Sequence, residues 1–250
     1  MKANGAMRQS RRVFLRIAGV AAATFVLGSK PFAARAAGDA TGKTKIGIVG
    51  SGRLGATIGG LWVNAGHEVM FSSLDLEHDK ALAARLGANA RAGTPREAAA
   101  FGDVLLMAVP YSALPQLGRD LADLIKGKVV IDACNPIPAR DGEMATRARE
   151  KGAGLASAEL LPGARLVRAF NAIGHTRLPE AAHRQGERTG MPMAGDDANA
   201  IAAVSSLVRE IGFEPVIVGP LAMGKHVIPG TPLAGEHTAE EIRQIAATLN

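Results

Sequence analysis

The 250-residue sequence is poor in the residues that build disulfide, metal and nucleophile sites. It has a single cysteine, Cys134, so no intrachain disulfide can form. His226 and His237 have no metal-ligand spacing with any carboxylate or cysteine, and we infer no metal site. The sequence has no Gly-x-Ser-x-Gly nucleophile elbow, and a small packing role suits Cys134, beside Asn135-Pro136, better than nucleophilic attack.

Acidic residues are absent from the first 36 positions, which hold seven of the 29 lysines and arginines. The rest of the chain carries 22 basic and 23 acidic side chains, so the positive charge of the sequence belongs to this N-terminal segment. A nucleic-acid partner requires a basic excess, and residues 37–250 do not have one. We therefore expect no nucleic-acid partner.

The N-terminal segment has the pattern of a twin-arginine export signal. Paired arginines lie within residues 10–16, and the apolar run at 17–28 is shorter than the about 20 apolar residues that span a bilayer. Ala34-Arg35-Ala36 offers a small-x-small cleavage site. We predict that residues 1–36 are a signal read by the twin-arginine machinery, which implies export to the periplasm without stable membrane insertion. Residues 37–43 would form a linker. A retained basic membrane anchor is the alternative.

The most informative motif is a Gly-x-Gly-x-x-Gly loop that follows an apolar run and precedes apolar residues at helical spacing. A strand, this loop and a helix form the context of the dinucleotide-binding fingerprint. The first glycine makes the tight turn, the second lets a diphosphate approach the backbone, and the third lets the helix lie close to the strand. The diphosphate would rest on N–H groups at the helix N-terminus. The loop consists of Gly50, Ser51, Gly52, Arg53, Leu54 and Gly55.

Strand and helix patterns alternate after residue 44, which predicts an α/β fold with a doubly wound parallel sheet, the Rossmann fold. We read three later strands and two later helices as C-terminal additions to this sheet, so that residues 44–250 form one domain. The predicted strands are 45–49, 67–71, 88–92, 104–108, 128–132, 165–170, 188–194 and 214–218. The predicted helices are 53–65, 79–86, 95–101, 114–125, 198–211 and 238–249.

The residues after the second strand bear on the choice of nucleotide. In NAD-specific folds a carboxylate at this strand end accepts the ribose hydroxyls. Here Ser72 and Ser73 leave room for a 2′-phosphate, and Arg53 would supply a cation. These residues favour NADP, while Asp75 keeps NAD open as an alternative.

Several blocks of the sequence carry a family resemblance: residues 50–55, 108–110, 132–136, 167–171, 195–197 and 212–221. With these blocks, and over nearly all of residues 44–222, the chain resembles the deazaflavin (coenzyme F-420)-dependent NADP oxidoreductase family. Leu74 stands where the family usually has an arginine, which weakens the NADP preference because a guanidinium suits phosphate contact. Arg168 replaces a usual lysine and Ile217 a usual aspartate. The same domain type is similar to the nucleotide-binding part of membrane metalloreductases, so the resemblance indicates NADP better than the acceptor.

The resemblance implies hydride transfer between nicotinamide and a deazaflavin or flavin-like acceptor. Such chemistry needs two stacked rings and little acid–base help. The ends of the fourth and fifth strands lie where ligands bind in doubly wound sheets. We expect the backbone of Ala108, Val109 and Pro110 to flank the nicotinamide, and Asn135 to hydrogen-bond it. Turn formation is the alternative role for these residues.

Two other functions stay open. A small-substrate NADP-dependent reductase would need a general acid, for which His175 is the one weak candidate among the residues after the nucleotide domain. The Lys-x-x-x-Asn pattern of β-hydroxyacid dehydrogenases does not occur after residue 150. The second alternative is a non-catalytic exported protein that binds a nucleotide or a partner. A homodimer is compatible with each of these functions.

Overall fold

The computed structural model describes residues 42–249, so the predicted signal (1–36) and the linker up to residue 41 lie outside the described residues. The strands of this part are β1 (Lys45–Val49), β2 (Glu68–Ser72), β3 (Ala90–Ala92), β4 (Val104–Met107), β5 (Val129–Asp132), β6 (Arg165–Arg168), β7 (Gly190–Gly195) and β8 (Glu214–Gly219).

Ten helices surround these strands in the described residues. They are α1 (Arg53–Asn64), α2 (Leu76–Leu86), α3 (Pro95–Phe101), α4 (Leu114–Asp120), α5 (Ala122–Ile125), α6 (Pro138–Lys151), α7 (Ala153–Leu160), α8 (Leu178–Ala181), α9 (Ala198–Glu210) and α10 (Ala239–Ala247). Two 3-10 turns, Tyr111–Ala113 and Leu221–His226, complete the list.

The strands form one sheet in the order β3-β2-β1-β4-β5-β6-β7-β8. Strands β1 to β6 are mutually parallel, which confirms the predicted Rossmann fold. The strand order reverses between β1 and β4, and in doubly wound sheets this switch point is the place where ligands bind.

The sheet is not parallel throughout, because β7 runs antiparallel to β6. The only helix between these two strands, α8, has four residues, whereas a parallel connection normally needs a longer crossover element. Helix α9 supplies such an element, and β8 is accordingly parallel to β7. The three later strands thus extend the same sheet as predicted, but β7 and β8 run in the opposite direction to the first six strands.

Some helix predictions were wrong in their extent. The predicted helix 114–125 is divided at Leu121 into α4 and α5. Helices α6 and α7 were not predicted, because α6 is rich in charged residues and buries mainly alanines, so it has little apolar periodicity. Helix α6 is also interrupted at Gly142, which has a φ of 61°.

The central strands are buried on both faces. In β4, Val104 and Leu106 pack into one apolar cluster, while Leu105 and Met107 pack into another on the opposite face. This burial explains why the central strands read as continuous apolar runs. It leaves the carboxyl edge of the sheet, where the strands end, as the place for polar residues.

Candidate functional site

The glycine loop between β1 and α1 is shaped by contacts that only glycine permits. Gly50 has a φ of +101°, and a Cβ there would lie 2.5 Å from the carbonyl oxygen of Ala108. A Cβ on Gly55 would lie 2.0 Å from the carbonyl oxygen of Gly50. The first glycine therefore makes the turn and the third allows α1 to approach the loop, which are the roles expected in the fingerprint.

The N-terminus of α1 is open to a ligand. Gly52 is its N-cap residue, no side chain caps the helix, and no atom lies within 4 Å of the position that a Cβ on Gly52 would occupy. Arg53 is exposed at the first helical position, whereas Leu54 is half-buried and packs on the core. Uncapped N–H groups and the helix dipole suit a diphosphate at this position, so the residues present fit a dinucleotide.

The loop is fastened to the end of β2. The backbone N–H groups of Gly50 and Ser51 both donate to the carbonyl oxygen of Ser72 at 2.9 Å. The Ser72 side chain is buried, and its hydroxyl donates to the carbonyl oxygen of Ile48 at 2.7 Å. The hydroxyl of Ser72 is therefore used in a hydrogen bond within the sheet.

Asp79 joins the glycine loop to the segment after β2 and was not predicted from the sequence as a site residue. Its carboxylate is fully buried and accepts hydrogen bonds from the hydroxyls of Ser51 and Ser73, the latter at 2.8 Å. The signal that would have found it is the spacing of Asp79 with Leu82 and Ala83, which together form the buried face of α2. The predicted helix, residues 79–86, began three residues late and placed Asp79 at its first position.

Two further residues after β2 have clear placements. Asp75 is the N-cap of α2, and its carboxylate accepts a hydrogen bond from the backbone N–H of His78 at 3.0 Å. Leu74, in place of the usual arginine, is fully exposed. Within the described residues, the segment predicted to face the ribose thus offers the half-buried hydroxyl of Ser73 and the exposed Leu74, beside the exposed Arg53.

The ends of β4, β5 and β6 form the side of the site where the sequence predicts that the nicotinamide binds. Ala108 and Val109 lie against the glycine loop, since the missing Cβ of Gly50 would also be 2.7 Å from Cγ1 of Val109. Pro110 is exposed and precedes the 3-10 turn Tyr111–Ala113. Asn135 follows β5 and donates from Nδ2 to the carbonyl oxygen of Asn171 at 3.0 Å.

A fully buried ion pair lies beneath these residues. Arg168 in β6 donates to the Asp132 carboxylate in β5, and neither side chain is exposed. Asp132 also accepts from the backbone N–H of Cys134 at 2.9 Å. Breaking such a pair by removing one partner leaves an uncompensated buried charge, so this pair holds the ends of two strands together.

Burial raises the pKa of the Cys134 thiol well above its usual value, which disfavours the thiolate that a nucleophile needs.

His175 lies in the turn between β6 and α8 and is half-buried. The part of the chain that the structure describes gives it no carboxylate partner to orient it as an acid or base.

No group of three or more His, Cys, Asp or Glu side chains in residues 42–249 is arranged to hold a metal ion. Among the helices of the same residues, none is long and apolar enough to cross a membrane.

The comparisons with known proteins agree with this architecture. Residues 45–136 match the family model described as "NADP oxidoreductase coenzyme F420-dependent". The chain is 29% identical over 203 residues to the F420-dependent NADP reductase of Methanothermobacter thermautotrophicus, covering 76% of this chain and 87% of that protein.

Two other relatives have different coverage. The chain is 31% identical over 186 residues to Metalloreductase STEAP3 of Rattus norvegicus, which covers 73% of this chain but only 35% of that protein. A crystal structure of a hypothetical protein from Sinorhizobium meliloti superposes with a TM-score of 0.66 at 26% identity, covering 79% of this chain and 96% of that one. The fold is that of NAD(P)-binding Rossmann proteins, and these matches show that the chain is similar to NADP-dependent oxidoreductases of that fold.

Proposed function

We propose that the protein is an exported NADP-dependent oxidoreductase that transfers hydride between nicotinamide and a deazaflavin or flavin-like acceptor. The observation that carries the nucleotide part is the uncapped N-terminus of α1 beside the open Gly52. It offers backbone N–H groups to a diphosphate at the switch point of the sheet. The bound nicotinamide would supply the hydride, while the protein positions the two rings.

The proposed hydride acceptor rests on the similarity of the chain to known reductases. Of the two curated relatives named above, the chain covers the F420-dependent NADP reductase more fully. This similarity supports a deazaflavin, or a ring of similar shape, as the acceptor. The similarity to a metalloreductase covers about a third of that protein, so we do not extend metal reduction to this chain. Within residues 42–249 no carboxylate orients His175 as a general acid, and hydride transfer between rings needs little proton transfer.

Nucleotide identity and turnover test this proposal. The protein would be purified from the exported pool. Any bound nucleotide would be released by denaturation and identified by mass, and the stripped protein would be titrated with NADPH and NADH. We expect recovered NADP, tighter binding of NADPH than of NADH, and NADPH oxidation with deazaflavin or flavin as acceptor. Binding without turnover would favour the non-catalytic alternative. No binding of either dinucleotide would overturn the redox function.

Export is tested separately by cell fractionation. The native chain should be found processed in the periplasmic fraction, because the paired arginines Arg11 and Arg12 lie in the predicted signal. The double variant Arg11→Lys/Arg12→Lys should remain in the cytoplasm. Equal distribution of the two proteins would show that the twin-arginine prediction is wrong without bearing on the enzymatic proposal.

A further inference from the structure

A buried carboxylate lies beneath the segment that follows β2. Both oxygens of the fully buried Asp79 accept hydrogen bonds, Oδ1 from the hydroxyl of Ser51 and Oδ2 from the hydroxyl of Ser73 at 2.8 Å. Two oxygens that only accept are the pattern of an ionised carboxylate. Asp79 therefore places a negative charge one hydroxyl away from both the glycine loop and the end of β2.

That charge has little to balance it. In residues 42–249 the only ion-pair partner of Asp79 is His78, whose Nδ1 lies 3.3 Å from Oδ1 and whose ring is half-exposed. No lysine or arginine of the same residues forms an ion pair with it. A buried charge is screened less by water and salt than an exposed one, so the field of Asp79 extends into the adjoining part of the site.

The side chains that end β2 have no donor to spare for an anion. The hydroxyl of Ser72 donates to the carbonyl oxygen of Ile48, and the single hydroxyl proton of Ser73 goes to Asp79. Leu74 is fully exposed and carries no donor on its side chain. Doubly wound folds meet the 2′ position of the adenosine ribose at this strand end, where an arginine accommodates the phosphate of NADP.

The other carboxylate of this segment has a different task. Asp75 caps α2 by accepting a hydrogen bond from the backbone N–H of His78 at 3.0 Å. It is exposed, so solvent screens its charge. Asp79 is thus the less screened of the two negative charges.

We propose that Asp79 sets the nucleotide preference by repelling a 2′-phosphate, so that the protein binds NADPH only slightly tighter than NADH. The carboxylate stays in the interior and acts through its charge, so no ligand atom has to reach it. The inference rests on the proposed function, since it concerns the dinucleotide of that reaction.

Neutralising the carboxylate tests this role. Asp79→Asn removes the charge, while the amide can still accept from one serine hydroxyl and donate to the other. Calorimetric titration at pH 8, where imidazole is uncharged, gives the dissociation constants of NADPH and NADH. The ratio of the NADH to the NADPH constant should rise about fivefold or more in Asp79→Asn, because a like-charge repulsion is removed. An unchanged ratio would overturn the proposal.

Two variants of the same segment are matched to this change. Glu77→Gln removes an equal charge from an exposed position of α2, and its ratio should differ from the native ratio by less than about twofold. Asp75→Asn keeps the helix cap and tests the competing carboxylate. A rise in Asp75→Asn without one in Asp79→Asn would assign the preference to Asp75 instead.

A second neutral variant, Asp79→Ser, separates charge from folding and should shift the ratio in the same direction. If the native protein binds both dinucleotides but Asp79→Asn and Asp79→Ser bind neither, Asp79 acts by building the loop. The charge assignment is then overturned, while the proposed function stands. If the native protein binds neither dinucleotide, the proposed function and this inference both fall.

Discussion

Gly55 is the residue at which α1 comes closest to the glycine loop. A methyl group there would lie 2.0 Å from the carbonyl oxygen of Gly50, so Gly55→Ala should destabilise the fold by about 1–3 kcal/mol through overpacking. The matched control is Gly60→Ala on the same helix, where the nearest atom, on Leu86, is 3.6 Å away. Gly60→Ala should stabilise the protein by about 0.5–1 kcal/mol. Urea unfolding measures both changes, and equal effects would contradict the close approach at Gly55.

Asp79 is the buried acid that holds the loop to the segment after β2. Asp79→Ala leaves the buried Ser51 hydroxyl without its acceptor, so we expect a loss of about 1–3 kcal/mol in the free energy of unfolding. Glu77→Ala on the same helix removes an exposed carboxylate paired with Lys80 and should change stability by less than about 0.5 kcal/mol. A native-like unfolding curve for Asp79→Ala would rule out a structural role for this contact.

At the scale of the element, the N-terminus of α1 has no side-chain cap, which leaves its N–H groups open to a ligand. Gly52→Asp has space and an ordinary φ of −65°, so it should cap the helix and stabilise it by about a few tenths of a kcal/mol. The same carboxylate would take the N–H groups and repel the diphosphate, and NADPH binding should weaken about tenfold or more. Unfolding midpoints and NADPH titration give the two readouts.

Gly52→Asn separates the two causes of that loss. Asparagine caps a helix about as well as aspartate but carries no charge, so its NADPH binding should be intermediate between the native protein and Gly52→Asp. Unchanged NADPH affinity in both variants would place the diphosphate somewhere other than the N-terminus of α1.

At the scale of the whole molecule, an ion pair links β6, the last of the six parallel strands, to α9. Arg165 of β6 donates two hydrogen bonds to Asp197, the N-cap of α9. The guanidinium, followed by the backbone N–H of Ala200, lowers the pKa of Asp197 to about 2. Because the folded pKa lies below the unfolded value of about 3.9, this stabilisation is present above about pH 4. It is lost as the pH falls towards 2.

Asp197→Asn tests this linkage because asparagine keeps the helix cap but does not titrate. Both side chains are about a third exposed, so solvent screening limits the difference from the native protein at neutral pH to about 1 kcal/mol. That difference should shrink between pH 5 and about pH 2. The exposed pair Arg147–Glu143, broken by Glu143→Gln, is the control and should change stability by less than about 0.5 kcal/mol. A difference that is constant with pH would contradict the assignment.

The sequence by itself determined the first half of the fold and the nucleotide loop. Their signals are local: apolar runs for β1, β4 and β5, and a glycine pattern whose spacing alone defines the turn. It did not reveal α6 or α7, because alanine-rich and charged helices with little apolar periodicity carry no such signal.

Only the tertiary structure decided which polar groups meet. Asp79 contacts Ser51 from 28 residues away, and Arg168 contacts Asn135 from 33 residues away. The reversal of β7 against β6 likewise depends on how the chain after β6 returns to the sheet edge. Each of these pairings joins separate elements at the carboxyl edge of the sheet. The spacing of residues along the sequence therefore does not predict them, whereas burial requires their polar groups to form hydrogen bonds.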